Sequence, residues 1–355
     1  MTARSVTVVL PPGVDDAAAA SGGNTYDRRL LAGLPGAGRP VRPVVAAGTW
    51  PRPSASDRLR LGALLGTVPA GGVVLLDGLV ACAAPAVLEA HARRLRLVVL
   101  VHLPLADETG PSPAVGRALS VAERRALAAA RVVVATSRAT ADRLRAGHDR
   151  VVVALPGADP APVAAPSPSG GRLVCVASVT PRKGQDVLLD ALARLADLTW
   201  SLTCIGPMDR APGFAADLRR CSERLGRRVA FAGPLPEPVV AAAYADADLA
   251  VLPSRAEPYG MVVTEALARG VPVVASDVGG IPESLGRAPD GARPGLLVPP
   301  DDAAALAAAL RHWLTDPALR AGLRAAALRR RSALAGWVGT VRAVADALDA
   351  AERAA

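Results

Sequence analysis

The chain has 355 residues, of which 51% are hydrophobic and only 3% aromatic, and carries a formal charge of +9. That length exceeds one ordinary core and fills two globular domains built largely from Ala, Val and Leu. Cys82, Cys175, Cys204 and Cys221 form no C-x-x-C pair and read as buried free thiols in a reducing cytoplasm; the opening MTARSVTVVLPPG has too short an apolar run for a signal peptide, and no segment reaches membrane-spanning length.

In the first half, short Val/Leu-rich runs at 5–10, 41–46, 73–76, 97–102, 132–136 and 151–155 alternate with Ala/Leu/Arg helical stretches. Apolar strands separated by helices predict a parallel sheet covered on both faces. Residues 156–171, PGADPAPVAAPSPSGG, break the pattern and read as an interdomain linker. The alternation restarts with strands at 173–177, 201–205, 229–231, 249–253, 273–276 and 296–298, and from Asp301 onward the chain reads as helices, the last from about Gly336. The fold class is therefore α/β, two Rossmann-like doubly wound domains in tandem. Ligands of open α/β sheets bind beyond the carboxyl ends of the strands, so the strand-to-helix turns are where chemistry is expected, in a cleft between the two sheets.

The turn after the first strand, VLPPGVDDAAAASGGNTYDRRL, places Gly22 and Gly23 before a helix, where backbone donors can reach an anion; a plain flexible loop is the alternative. His102 ends the strand LRLVVLVH, where it can orient or deprotonate a hydroxyl or hydrogen-bond a sugar, unless the local backbone satisfies it. His91, His148 and His312 lie in helical or loop stretches and read as structural. The turn VTPRKGQDVLLDALARL sets Arg182 and Lys183 at a helix start, where positive charge opposes the helix dipole and a bound anion is expected. Lys183 is the single lysine beside 40 arginines, which points to a compact charge on a phosphate.

SRAEPYGMVVTEALARGVPVV, residues 254–274, sets Glu257 in a loop and Glu265 on a helix that begins near Gly260 and stops at Gly270. The amides of Gly260 and Met261 form an anion site suited to a diphosphate. Glu265 lies one turn on, where its carboxylate can accept bonds from a ribose diol, and Glu257 can do the same for sugar hydroxyls; a loop charge and a solvated helix position are the alternatives. No G-x-G-x-x-G or G-x-x-x-x-G-K-[ST] is present, which counts against dinucleotide dehydrogenases and nucleoside triphosphatases. No metal site is expected: DAD at 246–248 stands before a strand, at the wrong end of the sheet, and Asp302 reads as a helix cap.

Charge is uneven. Up to residue 160 there are 19 Arg against 12 acids, net +7, and beyond it 22 basic against 20 acidic residues, net +2. A basic first domain suits an anionic acceptor or a peripheral membrane contact; a solvated surface set by an arginine-rich composition is the alternative. Nucleic acid is not expected, since HARRLR and AERRALAAAR lack interleaved aromatics.

EPYGMVVTEALARGVPVVAS followed by VGGIPE resembles the donor-site signature of glycosyltransferase family 4, retaining enzymes of the GT-B fold. The similarity extends through the Gly-Gly loop, the strand-end histidine, PRKGQDVLLDAL and the helical C-terminus, and is most specific over 173–300. It implies an N-terminal Rossmann-like acceptor-binding domain over 1–160, a donor-binding domain over 161–335, and a helix over 336–355 that crosses back to the first. By resemblance, Glu265 binds the nucleotide ribose, while Glu257 with Tyr259 and the Gly260 and Met261 amides holds the donor sugar. Lys183 binds the diphosphate, Gly22 and Gly23 close over it from the other domain, and His102 stands near the reacting sugar. The implied reaction is metal- and cofactor-free transfer of a hexose-type sugar from a nucleotide diphosphate sugar to the hydroxyl of a small molecule, natural product or lipid. A nucleotide-sugar epimerase or hydrolase, or a non-catalytic nucleotide-sugar-binding regulator, is the alternative. One departure stands out: many members carry an arginine about five residues before the lysine, and this chain has Ala177-Ser178-Val179 there. Arg182 is a candidate substitute that ranks below Lys183, because its side chain is expected to point elsewhere.

Overall fold

The computed structural model describes residues 5–16, 21–107 and 113–353. Contacts divide them into two units: the first holds residues 22–157 with the opening strand and the last helix, the second residues 158–336. Residues 108–112, which include the end of the HLPLADETG stretch, lie outside the described residues.

The first unit runs β1 (Val6–Leu10), α1 (Gly22–Gly33), β2 (Val41–Val45), α2 (Ala55–Gly66), β3 (Val73–Asp77), α3 (Gly78–Ala81), α4 (Pro85–His91), β4 (Arg96–Val101), α5 (Pro113–Ala128), β5 (Val132–Ala135), α6 (Arg138–Arg145) and β6 (Val151–Val153). All six strands are parallel, in the order β2-β1-β3-β4-β5-β6. Because side chains alternate along a strand, the continuous apolar runs feed two cores. Val74, Leu76, Val99 and Val133 face Leu61, Leu65, Leu88 and Leu127 of the helices on one side. Val73, Leu75, Val98 and Val134 face Tyr26 and Leu30 on the other.

The second unit repeats the plan: β7 (Arg172–Val176), α7 (Gln185–Ala193), β8 (Ser201–Ile205), α8 (Pro212–Glu223), β9 (Val229–Gly233), α9 (Glu237–Ala245), β10 (Leu249–Leu252), α10 (Met261–Ala268), β11 (Val273–Ser276), α11 (Ile281–Leu285), β12 (Gly295–Val298), α12 (Ala303–Thr315) and α13 (Pro317–Arg331). Its parallel sheet has the order β12-β11-β10-β7-β8-β9. The last helix, α14 (Trp337–Arg353), belongs to the first unit: Val341, Val344, Ala347 and Leu348 pack beside Tyr26 and Val98, and Arg39 pairs with Asp349 and Glu352.

Residues 158–171 lie within the stretch expected as the interdomain linker. They are strapped to the second unit: Ala164 N–H donates to Arg269 O at 2.9 Å, Arg331 reaches Ala161 O at 2.6 Å, and Asp248 accepts from Ser167 N and Oγ, each at 2.6 Å. Polar composition marked a loop, but partners distant in sequence satisfy its backbone and hold it. Asp248, the last residue of DAD, is thus a buried cap at the amino end of the sheet, and Asp302 caps α12 by accepting from Ala305 N–H at 2.8 Å. Cys82, Cys175 and Cys204 are buried, whereas Cys221 is exposed, a correction to its expected burial. The buried face of α8 passes through Ala215, Leu218 and the half-buried Ser222, so Cys221 falls beside it.

Candidate active site

In a doubly wound sheet the binding crevice opens where the strand order reverses. In the second unit the chain builds β7, β8 and β9 to one side and then β10, β11 and β12 to the other, so the reversal lies between β7 and β10. The turns leaving those two neighbours carry Lys183 and Glu257.

After β7 comes a 3-10 turn, Pro181–Lys183, then Gly184 at φ 65° and α7. A Cβ at Gly184 would stand 2.0 Å from Pro253 O, so only glycine lets the two turns touch. Arg182 and Lys183 therefore occupy the tight turn that precedes the helix. Lys183 Nζ donates to Glu257 Oε2, and Ser254 Oγ donates to the same oxygen at 3.3 Å. Arg182 Nη1 donates to Ala256 O at 2.9 Å, its Nε is buried without a partner, and its charge acts on both Lys183 and Glu257.

Burial pushes the Glu257 carboxyl up, but Lys183 and Arg182 outweigh it and hold the group below the usual carboxylate range. Burial pulls Lys183 below the ordinary amine range, with Glu257 opposing and Arg182 adding to the effect. Lys183 and Arg182 thus share the single carboxylate of Glu257, so one carboxylate does not saturate both cations and their remaining donors can meet an anion.

Arg255 registers the two turns on each other, a role that went unread in the sequence although it stands two residues before Glu257. Its N–H donates to Arg182 O at 2.8 Å, and its guanidinium binds Asp186 at 2.7 and 2.9 Å while also reaching Pro181 O and Asp301. Behind the Glu257 loop, Gly280 N–H donates to Glu257 O at 2.9 Å, and a Cβ on Gly280 would meet Pro258 O at 2.1 Å. The VGG stretch is the wall against which this loop is set.

Gly260, at φ 86°, turns the chain into α10, whose first N–H groups have no acceptor within the helix. Tyr259 is buried beside it. Glu265, one turn on, is half-buried rather than solvated: Tyr244 Oη donates to Oε2 at 3.3 Å, and Arg269 stacks on the Tyr244 ring at 5.2 Å. Burial raises the Glu265 carboxyl above its ordinary range, with Arg269 opposing. Lys183, Glu257, Tyr259, Gly260, Met261 and Glu265 thus gather on adjacent turns of one unit.

His102, Gly22 and Gly23 belong to the first unit, whose strand order reverses between β1 and β3. Gly22 and Gly23 open α1, and His102 directly follows β4. Its Nε2 faces Asp27 Oδ1 at 2.9 Å and Asp77 Oδ2 at 3.5 Å, and its ring meets Tyr26 edge-on at 5.1 Å. Burial lowers the His102 imidazole, but the charge and hydrogen bond of Asp27, with Asp77 behind them, lift it to about 9. Burial and the charge of Asp27 raise Asp77 above its usual range. Among the described residues these are the one group of three His, Cys, Asp or Glu side chains whose ligand atoms gather within 4.8 Å. Their donor types would suit a cation, but Nε2 and Oδ1 already stand at hydrogen-bond distance from each other and no second feature marks a cation site. The other histidines are structural as expected: His91 accepts from Arg94, His148 meets Ala130 O and His312 pairs with Asp316.

Residues 170–316 match the family model described as Glycosyl transferases group 1. A D-inositol 3-phosphate glycosyltransferase of Kineococcus radiotolerans is 34% identical over 272 residues, 68% of this chain and 61% of that protein. A glycogen synthase of Mycobacterium tuberculosis is 34% identical over 213 residues, 58% of this chain and 50% of that protein. The chain thus spans roughly three fifths of the length of the first curated relatives it matches, the one from Jonesia denitrificans at 58% included. Among solved structures, the sucrose-phosphate synthase of Thermosynechococcus elongatus superposes with a TM-score of 0.76 at 24% identity over 97% of this chain and 98% of that one. The Anabaena HepE complex with UDP and glucose gives 0.71 at 19%, over 97% and 99%. The fold is GT-B. Among the described residues no helix is long and apolar enough to cross a membrane.

Proposed function

We propose that the protein is a retaining glycosyltransferase of family 4 that moves a hexose-type sugar from a nucleotide diphosphate sugar to an acceptor hydroxyl. One observation carries the reading: at the reversal point of the second sheet, Lys183 and Arg182 flank Glu257 beside the glycine-led start of α10, with Glu265 one turn further. Those groups match a diphosphate, a sugar and a ribose in that order. The group 1 glycosyl transferase match over 170–316 covers this same region, and HepE is a structure solved with UDP and glucose.

In this reading Lys183 and Arg182 take the diphosphate oxygens, Arg182 replacing the arginine absent near Ser178. The Gly260 and Met261 amides, with Tyr259 behind them, receive the remaining phosphate and sugar oxygens. Glu257 accepts from the sugar hydroxyls and fixes the Lys183 ammonium, and Glu265 accepts from the ribose diol. His102 and the Gly22–Gly23 helix start serve the reacting sugar. Catalysis is electrostatic: charge that develops on the departing diphosphate is met by preorganised cations and a helix N-terminus, and the leaving oxygen takes the acceptor proton on the same face. The positive charge this needs comes from side chains, so the transfer proceeds without a metal or other cofactor. The chain acts in the cytoplasm, with contact to a membrane at most peripheral through the basic first unit.

Incubating the protein with UDP-, GDP-, ADP- and dTDP-sugars and a set of hydroxyl acceptors tests this. The expected result is acceptor-dependent release of one nucleoside diphosphate with retention at the anomeric carbon. Epimer or free sugar formed without any acceptor would instead make it an epimerase or hydrolase, and binding without turnover a regulator.

A further inference from the structure

Asp27 and Asp77 are buried carboxylates, 3% and 6% exposed, that the transfer reaction leaves without a role. They arrive from different elements, Asp27 from the second turn of α1 and Asp77 from the end of β3, and converge because β1 and β3 are neighbours at the reversal point of the first sheet. Asp77 is fixed by its own backbone contact, since its Oδ1 accepts from Leu79 N–H at 2.6 Å as the cap of α3. Asp27 is fixed because its neighbour Tyr26 is locked in the core, with Oη donating to Ala154 O at 2.9 Å. The His102 main chain is held in turn by Thr136 Oγ1, which donates to its carbonyl at 3.4 Å.

Both carboxylates face the same ring nitrogen. The nearer contact, Asp27 Oδ1 at 2.9 Å, assigns the hydrogen to Nε2, which leaves Nδ1 as the nitrogen that can meet a ligand. The titratable groups that face this ring are Asp27 and Tyr26 from α1 and Asp77 from β3, with Cys82 behind Asp77. Among the described residues Asp27 and Asp77 are the charges acting on the ring; both favour the imidazolium, Asp77 the less because burial and Asp27 lift its own carboxyl to about 7.

We propose that Asp27 and Asp77 are positioning residues that clamp the Nε2–H of His102 and keep its imidazole cationic at neutral pH, so that Nδ1–H serves as a fixed hydrogen-bond donor to an oxygen of the reacting sugar. The inference rests on the assignment of His102 to that sugar. It removes one of the roles open to a strand-end histidine: a ring already protonated cannot take the acceptor's proton.

The test is a histidine NMR titration of the full chain from about pH 5 to about pH 10, spanning the ordinary imidazole value of about 6.5. The chain has four histidines, and His102→Gln identifies the signal of His102. The expected midpoint lies well above the ordinary value. Asp27→Asn lowers it by at least about one unit, a tenfold loss of proton affinity, and Asp77→Asn lowers it by less because its oxygen is further away. Both changes keep side-chain shape, and either variant alone suffices if the other fails to fold. A wild-type midpoint near the ordinary value, a midpoint unmoved in both variants, or one that shifts on chelator treatment would overturn the clamp. The titration needs no nucleotide sugar, so it stands or falls separately from the transferase reading. Addition of the donor that the protein turns over is then expected to shift the Nδ1 signal in the wild type, and an unchanged signal would overturn the donor role.

Discussion

Gly280→Ala is a small change whose consequence can be worked out from geometry. Gly280 sits at φ −88°, ψ 0°, which an alanine adopts without strain, so the added methyl acts through sterics alone. That methyl would lie 2.1 Å from Pro258 O and 2.7 Å from Tyr259 Cα. A relaxed carbon–oxygen contact is about 3.3 Å, so the Pro258–Tyr259 peptide must retreat by roughly 1.2 Å. Gly280 cannot yield in its place without breaking the bond from its N–H to Glu257 O or the one that its own carbonyl accepts from Ser284 N–H, both 2.9 Å. The strain costs about 1–3 kcal/mol of stability. The displaced loop carries Glu257, Tyr259 and Gly260, and a misplacement of about 1 Å at a reacting centre costs on the order of a hundredfold in rate. Thermal melting and kcat/KM with the donor and acceptor that the wild type uses measure the two effects. Gly322→Ala, inside α13 with nothing within 4 Å of the added methyl, is the control and should gain about 0.5–1 kcal/mol. A folded Gly280→Ala variant that transfers sugar within about threefold of the wild type would refute the argument that this wall sets the Glu257 loop.

Other outcomes follow from the same contacts. Asp248→Ala leaves the Ser167 and Arg172 N–H groups without their acceptor and should cost ~3 kcal/mol in denaturant unfolding. Burial opposes ionisation of Asp248, but hydrogen bonds from Ser167 and Arg172 win and lower it. Its contribution is therefore present above the unfolded value of about 3.9 and lost as pH falls through the lower folded one, so wild type and variant should converge in stability only in strong acid. In the native protein Cys221 should react with an aromatic disulfide reagent, while Cys82, Cys175 and Cys204 react only after unfolding; two or more fast native thiols would contradict the packing of the two sheets. Removal of α14 should unfold the first unit, since Val341, Val344, Ala347 and Leu348 complete one of its two cores, and circular dichroism of the truncated chain would show the loss.

The sequence carried the fold because parallel strands buried on both faces read as uninterrupted apolar runs, and because Gly and Pro mark the turns between them. Lys183, Glu257 and Gly260 were legible for a related reason: each stands in a turn whose residue types are costly unless something is bound there. Asp27 and Asp77 were not. Each is an ordinary carboxylate in the chain, 50 residues from the other, and they meet only through the pairing of β1 with β3. Arg255 stood inside the motif but its role went unread, because its partners Asp186 and Asp301 are distant in sequence. For the same reason the linker reading of 156–171 carried no sign that part of it is held to the second unit, since the arginines that hold it lie on α13.

The central claim is that the turns after β7 and β10 hold a nucleotide diphosphate sugar through Lys183, Arg182, Glu257 and Glu265. Calorimetric titration with UDP-, GDP-, ADP- and dTDP-sugars, on the wild type and on Lys183→Ala, tests it most directly. The account predicts saturable binding of one base class to the wild type and a loss of at least about 2 kcal/mol of binding energy in the variant, the scale of a charge-assisted contact to phosphate. Binding of no nucleotide sugar at all, or equal binding to both proteins, would contradict it.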